Sequence, residues 1–186
     1  RSLPNTQKGV KKMYEIKRQY LNEIGEKKNV NEIDKFEWYL ISQKKLSENF
    51  IREFKDKISW GEVSMTSTLS EEFIQEFADD VDWLFISSRQ ILSENFIIKN
   101  QNDVYWNFIS KCQILSDDFL IKYSENIYWD WYFLNQEASL RVIKKFILKT
   151  TFKSMRDFKI SHLNELEKQE VEKLLKLRSL FKKQET

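Results

Sequence analysis

The side chains in this chain that are able to do chemistry are carboxylates, one imidazole and one thiol. Three adjacent acid pairs, Glu71-Glu72, Asp79-Asp80 and Asp117-Asp118, have the composition of an acid/base or metal dyad. Adjacent residues of a helix point about 100° apart, so such a pair does not face one target. Two of the pairs also follow directly on Ser70 and Ser116, where a helix start favours acids whatever else they do. His162 is the sole imidazole and sits at a predicted helix start without a partner for proton transfer. Cys112 stands beside Lys111, which would lower a thiol pKa, but no base or companion residue follows it. One Cys and one His supply neither a Cys/His metal cluster nor an intramolecular disulfide. Three glycines leave no GxxxxGK(S/T) or GxGxxG loop to cradle a phosphate. The expectation is a protein with no catalytic residue, no metal and no cofactor, and not an enzyme.

What organises the chain is repetition, which outranks any single residue as a signal. Leu46-Ser47-Glu48-Asn49-Phe50-Ile51 returns as Leu69-Ser70-Glu71-Glu72-Phe73-Ile74, as Leu92-Ser93-Glu94-Asn95-Phe96-Ile97 and as Leu115-Ser116-Asp117-Asp118-Phe119-Leu120, each step being 23 residues. Trp60, Trp83, Trp106 and Trp129 keep the same period, followed three residues on by Val63-Ser64, Ile86-Ser87 and Ile109-Ser110. A leading half-unit carries Trp38 and Ile41-Ser42, one residue closer to Leu46 than the period predicts. The fourth unit departs from the pattern at Phe133, where Ser is expected.

Within the second unit, Leu69, Phe73, Ile74, Phe77 and Val81 share one helix face, and Ser70 is a good N-cap with acids behind it. Asp82 is placed to cap a second helix carrying Trp83, Ile86 and Ser87. The expected unit is two helices of roughly 8–11 residues, too short to survive alone, each burying its face on the next. No LxxLxL strand or glycine-rich turn is present, so the predicted fold class is all-α, an α-solenoid of two-helix repeats with helical caps. The small Ser after each Ile or Val is expected to let neighbouring helices approach closely, and the Trp column to lie in the core. The organisation reads as an N-terminal tail and capping helix over 1–35, with Met13, Ile16, Tyr20 and Ile24 on its face; helical repeats over 36–140; and basic capping helices over 141–186, the last begun by Ser161.

Charge follows the same division. Residues 1–35 carry 9 basic and 5 acidic residues, residues 36–140 carry 9 and 18, and residues 141–186 carry 13 and 6, so an acidic body at −9 lies between basic ends. The C-terminal basic patch is Lys144, Lys145, Lys149 and Lys153. Two positions after the Trp stand Phe85, Phe108 and Trp131, a column that either joins the core or lines a groove as a binding stripe. Gln90, Gln113 and Gln136 recur once per unit. They resemble the base-reading side chains of RNA-binding repeats, yet they more plainly satisfy backbone groups at helix ends, and an acidic body repels phosphates. No run of about 18 apolar residues is present, so no membrane span is expected. With no signal peptide visible, the expected location is cytoplasmic, that of a host cell if the chain is viral.

The motif Leu-Ser-Glu-x-Phe-Ile followed by Val-Asp-Trp-x-x-Ile-Ser, clearest across 69–87, resembles short helical repeats in proteins of large DNA viruses of amoebae, of some bacteriophages and of AT-rich bacteria. The resemblance covers about 46–137 and implies a viral or phage-associated, host-directed binding protein, with no catalytic residue to carry over. The functional expectation is a non-enzymatic protein-interaction module, an inhibitor or adaptor occluding a host protein. Its partner surface is drawn from Asp79, Asp80 and Asp103 together with Phe85, Phe108 and Trp131. An acidic face suits a basic, nucleic-acid-handling partner through electrostatic steering. The alternative expectation is a nucleic-acid-binding repeat protein using the basic C-terminal helices.

Overall fold

The computed structural model describes residues 33–151 and 158–182; the expected N-terminal capping helix and Lys153 lie outside them. Among the described residues there are eleven α-helices and no strand. They run α1 (Lys35–Ser42), α2 (Glu48–Glu53), α3 (Trp60–Thr66), α4 (Glu71–Glu76), α5 (Trp83–Arg89), α6 (Glu94–Lys99), α7 (Trp106–Cys112), α8 (Asp117–Lys122), α9 (Trp129–Asn135), α10 (Leu140–Phe146) and, after a 3₁₀ turn at Ile147–Lys149, α11 (Glu165–Lys182). The odd-numbered helices α1 to α9 begin at or near the repeat Trp. The even-numbered helices follow the repeat Ser. This is the all-α, α-solenoid class that the 23-residue period predicts. The chain falls into two compact units, 1–82 and 83–186, each stacking its own repeats.

Each Ser-capped helix starts for a local reason. Ser47, Ser70, Ser93, Ser116 and Ser139 each accept the backbone N–H three residues on with an extended cap backbone. That bond satisfies one of the orphan donors of a helix start and is worth about 1 kcal/mol. The helices are shorter than the sequence suggests, only six residues in α4 rather than a run from Leu69 to Val81. The reason is a turn: Phe77 leaves helical geometry at φ −117°, ψ 35°, and the N–H groups of Asp80 and Val81 both donate to its carbonyl. Leu69 and Val81 are buried from the flanking turns instead.

The Trp helices bury Val63, Ile86 and Ile109 completely. In the N-terminal unit Trp38 packs on Phe50 and Trp60 on Phe73, both at 6.3 Å between ring centroids. In the C-terminal unit Trp83 meets Phe96 at 6.2 Å and Trp106 meets Phe119 at 6.4 Å. Each Trp therefore covers the Phe of the Ser-capped helix that follows it. The column is not uniformly core: Trp38 and Trp129 are buried, while Trp60, Trp83 and Trp106 are half-buried.

The series of Trp helices ends where the repeat signal ends. Phe133, in place of Ser, is buried against Phe158 at 5.1 Å, and its carbonyl accepts the Lys159 N–H. The segment at 158–163 thus takes the position beside α9 that a further Trp helix would need. The cap of α11 is Asn164, not Ser161: Asn164 Oδ1 accepts the Glu167 N–H and Glu167 Oε2 accepts the Asn164 N–H. This reciprocal capping box suits the sequence Asn-Glu-Leu-Glu better than a serine three residues earlier. The helix α11 buries Val171, Leu175 and Arg178, the guanidinium bonding both Oγ1 and the carbonyl of Thr150.

Candidate functional site

Most polar residues that recur with the repeat are joined to the next repeat. The Ser that follows each Ile or Val is fully buried. Its hydroxyl donates to the Trp carbonyl four residues back, at 2.7 Å from Ser42, Ser87 and Ser110. The same oxygen accepts the backbone N–H at the start of the next Trp helix: Ser42 from Ser59, Ser64 from Asp82, Ser87 from Tyr105 and Ser110 from Tyr128, at 2.8–3.0 Å. Small size is therefore only part of why Ser recurs. Ser59, Tyr105 and Tyr128 give their helices no side-chain cap. The neighbouring hydroxyl instead fixes how each start is seated. The half-unit that is one residue short keeps this bond.

The glutamine column has the same role. Gln113 is buried; its Nε2 donates to the carbonyls of Ser87 and Gln90, and its Oε1 accepts the Leu92 N–H. Gln136 Nε2 donates to the Lys111 carbonyl at 2.6 Å. In the N-terminal unit Ser67 occupies the same register, accepting the Leu46 N–H and donating to the Lys44 carbonyl. These side chains join loop backbones of successive repeats.

The acids divide into two groups. Glu48 accepts the Ser70 N–H and Glu94 the Ser116 N–H, both at 2.6 Å, and Asp117 accepts the Ser139 hydroxyl at 2.6 Å. Asp118 pairs with Arg141, and Arg52 bridges Glu48 and Glu76. Much of the negative body is thus ladder between Ser-capped helices. Asp79, Asp80 and Asp103 are different: they are exposed in the turns that end α4 and α6. The basic patch is largely paired: Lys144 with Glu170 at 2.7 Å, and Lys149 with Glu125 at 2.6 Å. The ammonium of Lys149 holds the Glu125 carboxyl below its ordinary pKa. Lys145 lies over the Phe146 ring.

The aromatic column remains at the surface. Phe85 and Phe108 are half-buried and Trp131 is 40% exposed, with Phe108 and Trp131 in an edge contact at 6.1 Å. Lys111 Nζ stands 5.3 Å from the Trp131 ring centre. Beside Trp131 an open groove of about 540 Å³ is lined by Ile127, Tyr128, Trp129, Asp130 and the Glu125–Lys149 pair. In the N-terminal unit the corresponding position is Glu62, so the column is confined to the C-terminal unit. The sequence did not single out Ile91 and Ile114, which are 95% and 91% exposed in the loops after α5 and α7. Their signal was available: both sit next to the repeat Gln, at a position with no buried counterpart.

The remaining chemical groups are accounted for structurally. His162 places Nε2 at 2.9 Å from the Ala138 carbonyl, and Cys112 is an exposed free thiol. Among the described residues no group of three or more His, Cys, Asp or Glu is placed to hold a metal. Burial of Tyr132 between Trp129 and Phe133, assisted by Asp117, pushes its phenol up to about 12. No described helix is long and apolar enough to cross a membrane. The chain matches no family model, no curated protein and no solved structure.

Proposed function

We propose that this chain is a non-enzymatic protein-interaction module whose binding face is the outer side of α5, α7 and α9. One observation carries the reading: the polar side chains that recur with the repeat mostly bond to a neighbouring repeat, whereas Phe85, Phe108 and Trp131 recur in register and stay at the surface. Partly exposed aromatics aligned across stacked helices suit a protein partner, because they bury large area with little side-chain entropy to lose. The viral and phage resemblance of the repeat supports a host protein as that partner, held by occlusion or as an adaptor. The acidic turn at Asp103, in the same unit, is a secondary contact in this reading.

The test is affinity capture from host lysate, with and without nuclease, comparing the wild type with the double variant Phe108→Ala/Trp131→Ala. A protein retained by the wild type after nuclease and lost by the variant is the expected result. Capture that disappears with nuclease would transfer the function to nucleic acid.

A further inference from the structure

On the Ser-capped helices and in the C-terminal cap some cations meet carboxylates, Arg141, Lys144 and Lys149 among them, while Lys99, Lys122 and Lys145 form no ion pair among the described residues. Arg89, Lys111 and Lys159 likewise meet no carboxylate among the described residues. All three lie at the C-terminal ends of consecutive Trp helices. Arg89 is in the last turn of α5 and Lys111 in the last turn of α7. Lys159 Nζ is 3.3 Å from the carbonyl of Asn135, the last residue of α9. The one carboxylate on α9, Asp130, accepts both the N–H and Oγ1 of Thr151 at 2.8 and 2.6 Å, and so is held toward the 3₁₀ side. Asp103 and Glu125 precede α7 and α9, at their opposite ends, and Glu137, just past the end of α9, accepts the Ser161 hydroxyl and lies 3.9 Å from the His162 ring. A chain whose repeat body carries −9 therefore presents a cationic edge beside its exposed aromatics.

We infer that the face formed by Phe85, Phe108 and Trp131, with Arg89, Lys111 and Lys159 along one edge, binds an extended acidic segment of a partner protein bearing regularly spaced apolar residues. The inference rests on the interaction reading of the same face and adds the chemistry of the partner. Apolar side chains seat against the aromatic column, and carboxylates face the unpaired cations. Helices packed side by side lie about 8–10 Å apart. An extended polyproline-II-like segment returns a side chain to the same side every third residue, about 9 Å on. One apolar anchor for each Trp helix therefore requires a period of about three residues. Acidic peptide is favoured over single-stranded nucleic acid because one carboxylate per repeat matches the three cations, whereas a phosphate at every nucleotide adds charge that the acidic body repels.

The test uses the full chain and fluorescence anisotropy of three labelled probes. These are a peptide of about nine residues repeating Leu-Glu-Ser, the same peptide with Lys for Glu, and an oligothymidylate. The acidic peptide is expected to bind about tenfold or more tightly than its basic counterpart, with an affinity that falls as salt rises. Trp131→Ala should remove binding, and Lys111→Glu should shrink or invert the preference; circular dichroism confirms that both variants fold. Equal binding of the two peptides, or preference for the basic one, overturns the acidic class. If neither peptide binds while the lysate partner is still captured through Trp131, the acidic class falls and the interaction reading stands. Oligothymidylate binding that Trp131→Ala abolishes overturns both.

Discussion

In the C-terminal unit, the Ser-capped helices and the outer face of the Trp helices come from the same 23 residues and end in opposite states. On the Ser-capped side Glu94 reaches Ser116, Asp117 reaches Ser139, Asp118 pairs with Arg141 and Lys144 with Glu170. Each of these four groups has a partner in a following segment of the chain. On the outer face, Arg89 and Lys111 meet no carboxylate among the described residues and Trp131 is 40% exposed. The first side combines the recurrent Ser with charged residues at variable positions, since Lys144 has Arg52, Gln75, Ile98 and Ile121 at the same register. The second carries Phe85, Phe108 and Trp131 in register. Recurrent polar residues in this chain join repeats, and the recurrent aromatics of the outer face do not.

The largest test of that contrast is Trp129→Ala. Trp129 is buried and stacks on Phe146 at 4.0 Å, so its removal should cost roughly 3–5 kcal/mol, read from the denaturation midpoint. Trp83, half-buried, should cost clearly less. Equal losses at the two would erase the distinction between core and surface members of the column. Next comes Gln113→Leu, which removes the side-chain bonds to the Leu92 N–H and to the Ser87 and Gln90 carbonyls. Buried unsatisfied groups of this kind cost roughly 1–3 kcal/mol each, and a loss of about 2–4 kcal/mol is expected in urea unfolding. An unchanged midpoint would mean that Gln113 is not mortar. The smallest effect belongs to Trp131→Ala, at about 1–2 kcal/mol for a side chain that already keeps 40% of its surface in water. A loss approaching that at Trp129 would return the aromatic column to the core and remove the proposed face.

The ladder was legible in the sequence wherever it depends on neighbours along the chain. Ser at a helix start and Phe-Ile behind it predict a capped helix burying those two residues, because cap and face are set within one turn. Helix length was less legible: the turn after Phe77 depends on packing of that ring against Trp60 at 4.9 Å, not on a Gly or Pro breaker. The start of α11 moved from Ser161 to Asn164 because both serve as caps, and only the seating of Leu163 and Ile160 in the core selects between them. For the candidate face, Phe85, Phe108 and Trp131 were visible as a column, but its exposure was not. The same spacing serves a core equally well.

What the sequence alone determined was the repeat, the all-α class, the caps and the residues of the central core. These follow from periodicity and from local hydrogen bonding, which act over a few residues. Tertiary structure decided which recurrent polar groups join repeats and which charges are left over. Ser110 finds the Tyr128 N–H across 18 residues, and Lys149 finds Glu125 across 24. The same fold leaves Lys111 beside Trp131 with no carboxylate among the described residues. Pairing between side chains so far apart is a property of how helices stack, and only the stacked array sets it.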